Sequence, residues 1–166
     1  MDKSTTPANP PAAPATGAAL ADMRQVIELA DGLTNVADRL HERILQDIRR
    51  HDANGVPAAL QHTLRQLLDD EMVLRQRANA LYADAAAHVI QGLGLPQARL
   101  AALTRDAAEK IRRIGVIGEA TGLVGGLLLL AGAVAAGHPA HIAAALDKIH
   151  THNAALDLLT AAPPAA

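Results

Sequence analysis

Apolar residues recur three and four positions apart along most of this chain. Beyond residue 115 they cover every face. The first pattern runs from about Ala18 to His51, with Met23, Ala30, Ala37 and Ile44 at heptad position a. Val26, Leu33, Leu40 and Asp47 take position d, while Ile27 and Ile48 at e and Leu29 and Val36 at g widen the stripe. A stripe of that width belongs to a helix inside a multi-helix bundle and not to a two-stranded seam. Gly32 costs about 1 kcal/mol of helix propensity relative to Ala, which the helix is expected to survive.

Asp52-Ala53-Asn54-Gly55-Val56-Pro57 supplies a helix stop and then a proline suited to a first turn. A second helix is predicted over Pro57 to Gln91, with Leu60, Leu64, Leu67, Leu74, Ala78, Leu81 and Ala85 as its seam. Each helix would be about 50 Å long at 1.5 Å per residue. Equal lengths and a short connection predict an antiparallel hairpin. Gly92-Leu93-Gly94-Leu95-Pro96 repeats the punctuation, and a third helix starts there, amphipathic through Leu100, Leu103, Ala107, Ile111 and Ile114. It is predicted to continue to Ala136, with a kink near Gly125-Gly126. Gly137-His138-Pro139 ends it, and a fourth helix from Pro139 to Thr160 places Ile142, Leu146, Ile149, Leu156 and Leu159 on one side. The predicted fold class is all-α. It is an antiparallel helical bundle of about four helices: a long hairpin, a glycine-rich apolar third helix and a shorter fourth. Residues 1–17 read as a disordered Pro/Ala/Thr tail, 18–160 as the bundle domain and 161–166 as a frayed end.

The tract from Ala120 to Leu146 contains no Lys, Arg, Asp or Glu. At its start Gly118, Gly122 and Gly126 lie four apart on one face, a register that lets another backbone approach closely. Leu127, Leu128, Leu129 and Leu130 follow. These seven residues are the candidates for interaction or membrane insertion. A helix apolar on all faces is either buried or spans a bilayer. The Gly-His-Pro break cuts the uncharged helical run to residues 120–137, close to the lower limit for a hydrocarbon core about 30 Å thick. That shortness favours burial. In the membrane setting, Arg112-Arg113 would be a cytoplasmic anchor.

Composition supports the helical reading and removes most chemistry. The chain has 38 alanines among 166 residues and one aromatic side chain, Tyr82. Alanine is the strongest helix former, and strand formers are scarce. A net charge of −2 and the absence of a basic, aromatic stripe argue against nucleic acid as a partner. There is no cysteine, and the only serine is Ser4, so the body offers no nucleophile of the usual triad kind. No phosphate-binding loop sequence occurs. Eight histidines are present, but the Glu-x-x-His pairs of di-metal bundles are not. No cofactor and no metal are therefore expected, and the chain reads as no enzyme.

Asp84 and His88 suggest a hydrogen-bonded pair one helical turn apart. Asp47, Glu71 and His88 interrupt apolar seams. Such residues can set register or partner choice, although the simplest expectation is a helix end or splayed region that water reaches. The functional expectation is a helical-bundle protein acting by association, as a homo-oligomer or with a protein partner, in the cytoplasm. The alternative is a membrane-inserting or membrane-anchored protein whose partner is the lipid bilayer. With no apolar h-region after Met1, it would be exported by a route independent of a signal peptide.

Overall fold

A computed structural model describes residues 17–161 of the chain, and within them the only regular elements are helices. There are five α-helices among the described residues: α1 (Met23–Arg50), α2 (Ala58–Ala83), α3 (Gln97–Arg113), α4 (Ala120–Ala136) and α5 (Pro139–Ala161). Short 3-10 turns, Ala85–His88 and Ile117–Glu119, precede the α3 and α4 regions. The tail proposed for residues 1–17 lies outside the described residues except Gly17, and so does the frayed end beyond Ala161.

Three helix boundaries differ from the sequence reading, each for a local reason. Helix α1 begins at Met23, not Ala18, because Asp22 caps it: its carboxylate accepts from the Gln25 N–H at 2.9 Å. The five residues before it are tied to the loop that precedes α3. Ala19 N–H donates to the Leu95 carbonyl (2.7 Å), and the Gln97 N–H donates to the Gly17 carbonyl (3.0 Å). The Gln97 side chain accepts from Leu20 N–H at 3.1 Å and donates to Glu28 at 2.8 Å, so this buried amide clamps the crossing. Helix α2 ends at Ala83, short of Gln91, and the chain turns through a 3-10 segment instead. The Ile90 N–H then pairs with the Leu20 carbonyl at 2.8 Å, giving the chain a non-helical partner.

The largest correction concerns the long third helix. It is two helices, so the described chain has five and not about four. Helix α3 stops at Arg113, and Ile114 is extended. The break is held by Arg43, whose guanidinium donates to the Ile114 carbonyl (2.6 Å) and the Gly115 carbonyl (2.9 Å). Carbonyls at a helix end have no intrahelical donor, and a buried arginine fork supplies one. No break occurs at Gly125-Gly126, which lie inside α4. Gly137 closes α4 in the left-handed region (φ 67°). The His138 N–H returns to Ala133 and the Gly137 N–H to Val134, the paired bonds of a Schellman cap.

Contact registers give the helix directions. Asp31 meets Tyr82 and Asp38 meets Arg75, so α1 and α2 run in opposite directions. Gln25 meets Gln97 and Arg43 meets Ile114, so α1 and α3 run the same way. Helices α4 and α5 are opposed, with Gly122 against His152 and Gly126 against Ile149. One continuous apolar core runs from Leu20 through the α1 stripe to Val124, Leu127 and Ile149. Met23, placed on the α1 stripe by its heptad position, is exposed at the mouth of that core.

Candidate functional site

Helix α4 has two unlike sides. Ala120, Leu123, Val124, Leu127, Leu130 and Val134 are buried, facing α2, α5 and the core. The opposite arc carries Thr121, Gly125, Leu128, Leu129, Gly132 and Ala136, all partly or fully exposed. No charged side chain occurs on it. Leu129 is 52% exposed. A solvent face of this kind is unusual for a helix, because water normally meets polar residues there.

The candidates from the sequence are thereby divided. Leu127 and Leu130 are fully buried and form part of the core, whereas Leu128 and Leu129 reach the surface. Gly122 and Gly126 face α5: a Cβ at Gly122 would lie 2.5 Å from His152 Nδ1, and one at Gly126 would lie 2.7 Å from Ile149 Cγ1. The close approach that their register implies is made within the chain, by α5. Gly118 is in the turn before α4, and its nearest neighbour, Thr63, is at ordinary contact distance. The three glycines do not form one contact line.

Asp47 and Glu71 are buried, at 6% and 7% exposure, which corrects the expectation that water reaches them. They stay on the core stripe because cations accompany them. Asp47 lies 3.4 Å from Arg43 Nε and 3.2 Å from Arg50. Glu71 pairs with Arg75, which also reaches Asp38 at 2.8 Å, and His41 Nδ1 approaches it at 3.5 Å. The hydrogen bond that Arg75 donates to Glu71, and after it the one to Asp38, raises the Arg75 pKa above its ordinary value. His88 is half-buried in the 3-10 turn after α2 and not on a helical seam. Because α2 ends at Ala83, Asp84 and His88 are not one α-helical turn apart, and their predicted pair does not form.

The residue missed by sequence reasoning is Arg43. It continues the g column after Leu29 and Val36, and a cation in an apolar column is the signal that was available. Its two carbonyl acceptors lie in a break that the apolar pattern did not reveal.

A second feature lies between α3 and α5. The apolar line Ile142, Ala145, Ile149 and Leu156 of α5 packs on α4, while the side turned to α3 carries Asp147, His150 and Asn153. Two adjoining clefts of about 400 and 600 Å³ result. They are bridged by Lys110, which donates to the Asn153 carbonyl at 2.9 Å and pairs with Asp157. Among the described residues no three His, Asp or Glu side chains converge as a metal site would need. No known protein family, characterised protein or solved structure matches the chain.

Proposed function

We propose that the chain is a non-enzymatic antiparallel helical bundle that works by association, through the outer face of α4. The observation carrying this reading is the uncharged arc containing Leu128 and Leu129 on a helix otherwise embedded in the core. Contiguous exposed apolar surface on a soluble protein marks a site of contact with another surface. The flat ground between the leucines, Gly125 and Gly132, has nothing within 4 Å of where a Cβ would stand. A facing helix has room to come close. A second copy of this chain is the simplest occupant, since most soluble oligomers are homo-oligomers and two-fold dimers are the commonest of them.

The absence of native cysteine provides a direct test. A Gly132→Cys variant is expected to give a disulfide-linked dimer under mild oxidation. The same substitution at exposed Arg77 on α2 should remain monomeric on a denaturing gel. Equal cross-linking at both positions, or none at Gly132→Cys, would count against the α4 face.

A bilayer is the second reading, and one observation favours it. Ile117–Ala136 forms a helical stretch of 20 residues with mean hydropathy 1.7, long and apolar enough to cross a membrane. At about 1.5 Å per residue its length matches a hydrocarbon core of about 30 Å. Against it, 56% of the most apolar window is buried inside the fold. Liposome flotation of the Leu129→Arg variant separates the two: loss of flotation that the unmodified protein displays supports insertion, and no flotation by either removes it.

A further inference from the structure

We infer that the cleft between the N-terminal half of α3 and the middle of α5 is a binding site for a small cationic amphiphile: an ammonium or amidinium group on a short apolar chain. This goes beyond the association reading and uses a different surface. The cleft encloses about 400 Å³, within the range of about 300–1,000 Å³ typical of small-ligand sites. Its floor is apolar, built from Leu95, Leu100, Leu103 and Leu146. Leu95, Leu103 and Leu146 are only partly buried, so an apolar chain laid on them would remove further hydrocarbon from water.

The walls decide the head group. Asp106 from α3 and Asp147 from α5 both line the cleft, opposed by the single cation Arg99, with His150 beside them. None of the three charged groups enters an ion pair among the described residues. The wall therefore carries one net negative charge. Both cations of the adjoining cleft are engaged elsewhere, Lys110 with Asp157 and Arg113 with Glu109. A donor head group would meet two carboxylates and one guanidinium, whereas a carboxylate head would face two like charges and only Arg99 of opposite sign. The Lys110 bridge to Asn153 and Asp157 closes the far end, so the ligand is short and does not run on into the second cleft.

The test uses the full chain with leucine methyl groups observed by NMR, titrated with n-octylammonium, octanol and octanoate below their aggregation concentrations. Octylammonium is expected to shift the Leu103 and Leu146 methyl signals, leave those of Leu129 unmoved, and bind at least about ten-fold more tightly than octanoate or octanol. The Asp106→Asn/Asp147→Asn double variant, on the exposed walls, should fold unchanged and lose that preference. Leu103→Trp should fill the cleft and abolish the shifts. Equal binding of the three probes, a preference for octanoate, shifts centred elsewhere, or a preference retained in the double variant would overturn the assignment. None of these outcomes bears on whether α4 self-associates.

Discussion

At the scale of single residues, the six glycines between 115 and 132 act differently because their neighbours differ. Gly122 and Gly126 sit where α5 crosses α4, with His152 and Ile149 in the space a methyl would need. Alanine at either position is expected to destabilise the fold by roughly 1–3 kcal/mol, as overpacking does. Gly125 and Gly132 face open space within the single chain, so in the Leu129→Arg background, where the proposed association is lost, alanine there should stabilise by roughly 0.5–1 kcal/mol through helix propensity. Urea unfolding of the four alanine variants in that background checks the sign at each site, and a uniform effect would contradict the packing. Glu109 illustrates a second local effect. Its hydrogen bond to Arg112 pulls its pKa from 4.5 to about 2. A depressed carboxylate contributes stability above its unfolded pKa and loses it as pH falls through the folded value, so this group's contribution fades between about pH 4.5 and 2. In an Arg112→Gln variant the Glu109 titration, followed by NMR, should move up towards the ordinary carboxylate range. An unchanged midpoint would mean that Arg112 is not its cause.

At the scale of elements, the apolar periodicity marks what each helix buries better than where it ends. The α1 stripe from Val26 to Ile44 and the α2 seam from Leu64 to Leu81 are buried as their spacing predicts. The boundaries depend on polar groups far away in sequence. Gln97 reaches back to Leu20, Gln25 and Glu28, and Arg43 reaches forward to Ile114 and Gly115. A window of neighbouring residues contains no record of such pairings, which is why α3 and α4 read as one helix. The apolar character of α4 was legible, because it is a property of composition alone. Which of its leucines face water was not, because a helix without a polar side has no direction until its neighbours are known. Arg43 is the residue on which the α3–α4 break depends. It is 5% exposed, and its loss leaves the buried Ile114 carbonyl and the part-buried Gly115 carbonyl without this donor and Asp47 with only Arg50. Arg43→Met is expected to cost roughly 2–4 kcal/mol in urea unfolding, and Arg43→Lys less, since an ammonium keeps the charge but not the fork. A change within about 0.5 kcal/mol for Arg43→Met would show that the break is set by something else.

At the scale of the whole molecule, α1, α3 and α5 run one way and α2 and α4 the other, and α4 is the helix whose water-facing side carries no charge. Four helices present charged or amide side chains to water; α4 presents Thr, Gly, Leu and Ala. A core rich in alanine buries little apolar area per residue, so covering this face would add burial that the single chain lacks. The measurement that tests this most directly is sedimentation velocity of the purified full chain without detergent, alone and as Leu129→Arg. The unmodified chain should sediment as a dimer or larger species. Leu129→Arg, which places a charge in the centre of the arc without touching the core, should sediment as a monomer of equal helix content. A monomeric unmodified chain, or an assembly that Leu129→Arg leaves intact, would contradict the assignment of the α4 face as an association surface.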